Sequence, residues 1–331
     1  MRCRLPVAAG RAVAGGAMKH QMTFGIANGV ASGALWGLVF LAPAVLTDFS
    51  PLQLAASRYL VYGLIALILL VPRWPALRAH IGKVEWTALT WLSLLGNLVY
   101  FILLSICVQW SGGAPAALIV GMVPVLVAVL GSREPGAVPL VRLAPALALC
   151  VAGVGVMGYV ALASSHVSTS NAQRLTGLLC GVGALLSWTA YSVGNTRWLA
   201  RVPQVSGHDW SLLTGVATGA LALLLAPVAF AGGGEGHTGG QWAGFWAMAA
   251  AVAIFASILG NACWNRASRA LPLTLGGQMI VFETLFGLIY GFLWQQRWPL
   301  PLEILAAVFL VVGVVWSAAA HRSSLPVADP A

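Results

Sequence analysis

The 331-residue chain contains 60% hydrophobic residues and only 8% charged residues. Soluble globular proteins carry about 25% charged residues, so this composition excludes a protein whose whole surface faces water. The net charge of +9 comes from basic residues scattered singly between apolar runs, which excludes a dense nucleic-acid-binding face. We therefore expect the chain to lie in a lipid bilayer and to bind no nucleic acid.

Ten apolar segments follow one another along the chain, each near the length that crosses a hydrocarbon core of about 30 Å. We predict an all-α integral membrane protein with ten transmembrane helices, at residues 25–46, 53–72, 86–107, 114–131, 141–162, 175–196, 210–230, 242–264, 273–293 and 302–320. Residues 1–24 are predicted to form a disordered cytoplasmic N-terminal tail, and residues 321–331 a cytoplasmic C-terminal tail.

The distribution of lysine and arginine orients these helices. When successive loops alternate between the two sides of the membrane, nearly all of the 17 basic residues fall on one side. Only Arg174 and Arg297 fall on the opposite side, and Arg58 falls inside the second segment near its outer end. The positive-inside rule makes the basic side cytoplasmic. We predict a multi-pass protein of the bacterial inner membrane with both termini in the cytoplasm.

The two halves of the chain, residues 25–162 and 163–320, resemble each other. Matched residues occur in the same order in both halves: Gly25, Gly29 and Trp36 with Gly177, Gly181 and Trp188; Leu95-Gly96-Asn97 with Leu259-Gly260-Asn261; and Gly153 with Gly313. Because five spans is an odd number, the second half would enter the membrane from the opposite face. The sequence therefore predicts two inverted five-helix repeats, an arrangement typical of alternating-access transporters of small molecules.

The stretch from the eighth to the ninth segment carries a recognisable pattern. It reads Leu259-Gly260-Asn261-Ala262-Cys263-Trp264-Asn265, then Ala270-Leu271-Pro272 and Val281-Phe282-Glu283. This pattern resembles the drug/metabolite transporter (DMT) superfamily, EamA type, and the ten spans in two repeats agree with that resemblance. One departure is that Thr284 follows Glu283, where the family usually has a proline.

Within that superfamily, Tyr100 and the later Val120-Gly121-Met122 are similar to the YddG-type amino-acid exporters. The resemblance implies export of amino acids, aromatic ones included, and of related small metabolites. The alternatives left open are the same fold with other cargo, such as drugs or nucleotide sugars, and an integral membrane enzyme. Phosphorylated cargo would require basic residues at the membrane midplane, and none is predicted there beyond Arg58, which we expect to be peripheral.

Aromatic and amide side chains on shared helix faces are the candidates for substrate binding. Such faces suit a zwitterion with an apolar side chain, because rings contact the side chain and amides bind the polar end. The predicted substrate-binding residues are Trp36, Asn97, Tyr100, Met122, Trp188, Tyr191, Asn261, Trp264, Asn265 and Gln278. For Asn97 and Asn261 the alternative is interhelical hydrogen bonding with no role in binding.

Glu283 is the acidic residue that lies well inside a predicted span. An intramembrane carboxylate can bind a coupling proton or a substrate amine, or can hold its helix in place. Gln278 lies five residues away, about 140° around the helix, so the two side chains cannot both point into one narrow cavity. We expect one of them to be structural.

Gly25, Gly29, Gly33 and Gly37 recur every fourth residue in the first span and predict a face for close helix packing. That face could be a static contact or a surface on which helices slide. No catalytic pattern, metal site or cofactor motif is recognisable, so transport would run down a gradient or on ion coupling. The oligomeric state is left open, with a monomer as one option.

Overall fold

The computed structural model describes residues 7–132, 139–163, 169–231, 236–271 and 279–322. Every regular element within these ranges is helical, and none of the described residues forms a strand. The predicted all-α class is therefore confirmed for this part of the chain.

Ten helices organise the described ranges. In chain order they are α1 (Val7–Val45), α2 (Pro51–Leu70), α3 (Lys83–Ser111), α4 (Gly113–Gly131), α5 (Leu140–Ala163), α6 (Asn171–Arg201), α7 (Gly207–Phe230), α8 (Gly239–Ala270), α9 (Val281–Trp294) and α10 (Pro301–Arg322). Eight of them, α1 to α8, are long and apolar enough to cross a membrane. In α9 and α10 the apolar stretches are shorter, Val281–Trp294 and Pro301–Ser317.

The two ends of the chain differ from the predicted tails. Residues 7–24, predicted to be disordered, are helical and continue α1 without a break. The physical reason is their alanine content, because alanine is the strongest helix former. At the other end α10 continues to Arg322, while residues 1–6 and 323–331 lie outside the described ranges.

Side-chain caps set where several helices begin. The hydroxyl oxygen of Ser50 accepts a hydrogen bond from the Gln53 backbone N–H, and the Gln53 side chain accepts one from the Ser50 backbone N–H, at 3.2 and 2.9 Å. The same reciprocal pattern begins α6 at Ser170 and α8 at Thr238. Such capping boxes satisfy backbone donors that the first turn of a helix leaves unpaired.

Three spans depart from regular α-helix in their middle. In α3 and α8 the chain is π-helical over Leu94–Val99 and Ala253–Gly260, and in α4 a turn at Gly121 and Met122 separates two shorter helices. The first segment contains the whole of Leu95-Gly96-Asn97, and the second ends within the repeated Leu259-Gly260-Asn261. Short π-helical segments occur frequently at functional sites.

The helix pairs that pack most closely are α2 with α7, α5 with α10, α3 with α6, and α1 with both α8 and α9. Where α2 crosses α7, Gly63 faces Gly219 so closely that a Cβ on Gly63 would lie 2.5 Å from the Gly219 Cα. In the α5–α10 pair, Gly153 faces the backbone of α10, and its matched residue Gly313 faces α5 in the same way. Small residues thus allow the backbones to approach closely.

The predicted glycine face of α1 packs against α8 and α9. Gly25 contacts the side chain of Leu271, and Gly29 that of Met279. A Cβ on Gly33 would lie 2.5 Å from the Cβ of Phe282, and one on Gly37 would lie 2.9 Å from the backbone nitrogen of Gly287. In this conformation the face forms a tight helix–helix contact.

Candidate functional site

A cavity of about 80 Å³, the central cavity, lies among α1, α2, α3, α6, α7, α8 and α9. Seven of the residues that the sequence singled out line it: Trp36, Asn97, Tyr100, Trp188, Tyr191, Asn261 and Glu283. The seven come from five helices spread over both halves of the chain. The fold therefore brings most of the predicted site residues together in one place.

A second and larger cavity of about 420 Å³, the vestibule, adjoins the central cavity. The two share four of the predicted residues, Trp36, Trp188, Tyr191 and Asn261, as well as Ser211 and Thr214. Trp264 and Asn265 line the vestibule alone. From there the vestibule extends between the C-terminal halves of α6 and α8 and the start of α7. Its volume lies within the range of about 300–1,000 Å³ typical of small-molecule sites.

Two aromatic pairs flank the junction of the two cavities. The ring centroids of Trp36 and Trp264 lie 5.3 Å apart, and those of Trp188 and Tyr100 lie 6.1 Å apart. The two pairs occupy matched positions in the two halves of the chain, and each joins the first helix of one half to the third helix of the other. Tyr191 extends the second pair, with its ring centroid 6.1 Å from that of Trp188.

The three predicted asparagines differ in how their amides are used. The Asn97 Nδ2 donates to the hydroxyl of Thr218 at 2.8 Å, and the Asn261 Nδ2 donates to the carbonyl oxygen of Ser257 at 2.8 Å. These bonds favour the structural alternative for both residues. The Nδ2 of Asn265, in contrast, is buried with no hydrogen-bond partner among the described residues. Asn265 therefore has an amide available to a ligand in the vestibule.

Two oppositely charged side chains face the central cavity. Glu283, at the start of α9, is only 7% exposed, and the described residues provide no hydrogen bond to its carboxylate. Arg58 on α2 is also 7% exposed and lines the same cavity. No ion pair joins the two groups within the described part of the chain.

The position of Arg58 corrects the sequence analysis, which placed this residue at the periphery. Because α2 begins at Pro51, Arg58 lies about two turns, or about 10 Å, along the helix. Its Nη2 donates to the Ser257 hydroxyl at 3.3 Å, and its Cζ lies 4.4 Å from the ring centroid of Phe101. Its Nε and Nη1 are buried without a partner in the described ranges.

The helices α2 and α7 were not expected to line the site, and both do. From α2 come Tyr59 and Tyr62 beside Arg58, and from α7 come Ser211 and Thr214. The sequence does contain a signal for α2, since an arginine and two tyrosines within one turn and a half are unusual in an apolar span. Nothing comparable marks α7, where serine and threonine also serve as ordinary helix-packing residues.

Two predicted residues are not part of these cavities. Met122 is buried at the turn in α4, 6% exposed, and lines neither the central cavity nor the vestibule. Its neighbours Val123 and Pro124 contribute to the vestibule instead. Gln278 lies outside the described residues, so its expected opposition to Glu283 stays a prediction.

A group of aromatic side chains, the outer aromatic cluster, lies beyond the central cavity on the side away from the vestibule. Its members are Phe49, Phe230, His237, Trp242, Phe245 and Trp246. At its centre the rings of Phe49 and Phe245 stack with centroids 4.4 Å apart, and both residues are buried. A void of about 10 Å³, lined in part by Leu54 and Phe101, lies between this cluster and Arg58.

Within the described ranges, no three or more histidine, cysteine, aspartate or glutamate side chains come together as a metal site would require. Around the central cavity the described residues offer groups that can bind a ligand: aromatic faces, amide and hydroxyl groups, one carboxylate and one guanidinium.

Proteins with similar sequences and a similar fold are known. Residues 175–319 match the EamA-like transporter family. The chain is 29% identical over 311 residues to the inner membrane protein YtfF of Escherichia coli (strain K12). The aligned region covers 89% of this chain and 94% of YtfF. A protein crystal structure superposes on the chain with a TM-score of 0.61 at 18% identity, covering 90% of this chain and 98% of the other, so the two share a fold.

Proposed function

We infer that the central cavity is the substrate site of this chain. The premise is that the chain belongs to the EamA-like transporters of the drug/metabolite transporter superfamily. Membership was predicted from the motifs around Asn261 and Glu283, and the family match and the likeness to YtfF confirm it. The chain is accordingly a multi-pass membrane transporter. The same relationship argues against the alternative of a membrane enzyme.

We further propose that the ten helices are two inverted five-helix repeats. Reciprocal contacts support this arrangement: Gly153 on α5 approaches Leu310 on α10, and the matched Gly313 on α10 approaches Cys150 on α5. A pseudo-twofold axis between the two halves produces contacts of this kind. In this proposal α9 and α10 are the ninth and tenth spans, and α10, at 22 residues, is about 33 Å long.

The main support for a transport mechanism is that residues at equivalent positions of the two repeats differ in polarity and exposure. On the vestibule side Ser192, Asn265 and Ser268 are polar and at least partly exposed. Their matched residues in the other half are Phe40, Phe101 and Leu104, which are 2%, 1% and 0% exposed. One access route is thus open while its counterpart is closed, as expected for one state of an alternating-access cycle.

The vestibule faces the cytoplasm if the positive-inside orientation is correct. It lies at the ends of α6 and α8 that carry Arg201 and Arg269, whereas the outer aromatic cluster lies at the opposite ends. With this orientation both termini are cytoplasmic and the cavity is accessible to metabolites inside the cell. We propose that the protein exports them across the bacterial inner membrane.

Amino acids, aromatic ones included, and related small metabolites are the proposed cargo. The pairs Trp36–Trp264 and Tyr100–Trp188 can contact an apolar side chain, and charges of both signs are available for a zwitterion. The likeness to YddG-type exporters supports the same choice. The central position of Arg58 removes one argument against anionic cargo such as nucleotide sugars, but Glu283 in the same cavity repels a multiply charged anion.

Counterflow in proteoliposomes tests the cargo. Purified protein is reconstituted with one unlabelled amino acid inside, and entry of the same radiolabelled amino acid is measured with and without a pH gradient. We expect accumulation of phenylalanine, tryptophan or leucine above that in protein-free liposomes. No flux of any amino acid, or flux of a sugar phosphate alone, contradicts the proposed cargo; stimulation by the pH gradient would indicate proton coupling.

A further inference from the structure

Arg58 is a buried cation that has no ion-pair partner among the described residues. Its side chain is 93% removed from solvent, and in the described ranges it forms no ion pair. A charge buried in a low-dielectric interior is costly unless an opposite charge or several hydrogen bonds accompany it. Among the described residues, Arg58 therefore has buried donors that a ligand can satisfy.

The surroundings of Arg58 orient the guanidinium without satisfying it. One hydrogen bond from Nη2 to the Ser257 hydroxyl, 3.3 Å long, holds it on one side. The rings of Tyr59 and Phe101 lie 5.0 and 4.4 Å from its Cζ, within the range of cation–π contacts. The Nε and Nη1 donors are buried without partners in the described ranges, and the Arg58 side chain lines the central cavity.

The chemistry that fits these unused donors is a carboxylate. A guanidinium presents its N–H groups in a rigid plane that matches the two oxygens of a carboxylate, and charge-assisted hydrogen bonds of this kind are strong. Glu283 lines the same cavity but is not paired with Arg58, so it does not occupy those donors. A ligand carboxylate can therefore bind Arg58 while a ligand ammonium group lies towards Glu283.

We propose that Arg58 binds the carboxylate of the transported molecule, so that the cargo must carry a free carboxylate group. The proposal rests on the proposed function, because it assumes that the central cavity is the substrate site. It also gives the π-helical segment of α8 a role, since Ser257 within Ala253–Gly260 orients Arg58. A merely structural Arg58, held by Tyr59 and Phe101, would not distinguish an acid from its amide.

A ligand series on the wild-type protein tests this directly. The amino acid with the highest counterflow is compared with its carboxamide and with the amine that lacks the carboxyl group, by competition in counterflow and by the rise in melting temperature of the purified protein. We expect the acid to bind at least about tenfold more tightly than the amide, the effect of losing a hydrogen bond to a charged group. Equal binding of acid and amide overturns the proposal.

Variants of the protein test whether Arg58 itself causes the preference for the acid over the amide. Arg58→Gln should reduce the acid-to-amide ratio to about 1, and Arg58→Lys should retain part of it because the charge remains. The matched control is Arg142→Gln, an exposed arginine at the start of α5 that lines neither cavity, which should leave the ratio unchanged. If Arg58→Gln does not fold, Ser257→Ala removes the orienting bond and should lower the ratio several-fold. A ratio unaffected by the Arg58 substitutions overturns the assignment.

A final ligand distinguishes failure of this proposal from failure of the proposed function. The deaminated acid, such as phenylpropionate, carries the carboxylate but no ammonium group. If no amino acid shows counterflow yet this acid stabilises the wild type and not Arg58→Gln, the proposed cargo is wrong and the carboxylate site is correct. If amino acids are transported but their amides are transported equally well, the cargo is correct and the carboxylate site is wrong.

Discussion

Removing the centre of the outer aromatic cluster should open the closed side of the protein. Phe245 is fully buried, and its ring lies 4.4 Å from that of Phe49, 5.4 Å from Trp242, 5.5 Å from Trp246 and 6.3 Å from Phe230. Phe49 lies in the loop between α1 and α2, Phe230 lies at the end of α7, and the other three rings lie near the start of α8. The substitution Phe245→Ala removes four ring pairs at once and leaves the central cavity unchanged.

The size of the effect follows from these four pairs. Two of them, with Trp242 and Trp246, lie within α8, and the pairs with Phe49 and Phe230 join α8 to other parts of the chain. Each aromatic pair contributes about 0.5–1.5 kcal/mol, so these two stabilise the closed side by at least about 1 kcal/mol. The states of such a protein commonly differ by only a few kcal/mol. A loss of about 1 kcal/mol changes the ratio of the two states about fivefold in favour of the state that is open on this side.

The assay is labelling of a single cysteine at Leu54, which is 4% exposed and lines the small void beside the cluster. In a variant without the native cysteines, Leu54→Cys should react slowly with a membrane-impermeant maleimide applied outside. Adding Phe245→Ala should raise the labelling rate about fivefold, because the state that is open on this side becomes about fivefold more populated.

The matched control is Phe255→Ala, which removes the same side chain from α8 at a position that is 44% exposed. It should leave the labelling rate of Leu54→Cys unchanged. Equal rates with and without Phe245→Ala would refute the assignment of the cluster as a closed gate, provided that both variants remain monodisperse.

Three further predictions follow from the site and the packing. Glu283→Gln should lower counterflow at least about tenfold, because the substitution removes the negative charge offered to a substrate ammonium group. Gly33→Ala should lower the melting temperature, since its Cβ would lie 2.5 Å from a Cβ on α9 and overpacking costs about 1–3 kcal/mol. A cysteine at Ser268 should react from the vestibule side much faster than one at Leu104, its buried counterpart.

Each of these predictions has a control in the same chain. Glu303→Gln is the control for Glu283, because the Glu303 carboxylate is already paired with Arg297 at 2.6 Å; it should affect stability rather than substrate affinity. Gly155→Ala is the control for Gly33, since its Cβ would meet nothing within 4 Å. Normal transport by Glu283→Gln, or equal melting temperatures for the two glycine variants, would contradict the corresponding argument.

The positions of most helices could be predicted because a bilayer requires about 20 apolar residues for each crossing. Eight predicted segments coincide with helices long enough to span, and the glycines of the first segment do form a packing face. The site residues on α1, α3, α6 and α8 could be predicted as well, because aromatic and amide side chains at helical spacing mark one face of a helix.

Arg58 could not be placed in the same way. Hydropathy locates a residue along the membrane normal only to within a turn or so, and it does not show which way the helix is rotated. The hydrogen-bond partner of Arg58 is Ser257, which is 199 positions away in a π-helical segment that no sequence pattern marks. Packing of α2 against α7 rotates Arg58 towards the cavity, and only the folded chain contains that information.

The unequal chemistry of the two access routes argues for a preferred resting state. To close the vestibule the protein must bury exposed polar groups such as Ser268, whose hydroxyl requires a partner once water is excluded. The opposite route closes over Phe40, Phe101 and Leu104, which require none. Without cargo, the state with an open vestibule is therefore the more stable one, and a bound zwitterion supplies the partners that closing the vestibule needs. In the positive-inside orientation this bias leaves the site accessible from the cytoplasm, which is the side from which an exporter must load.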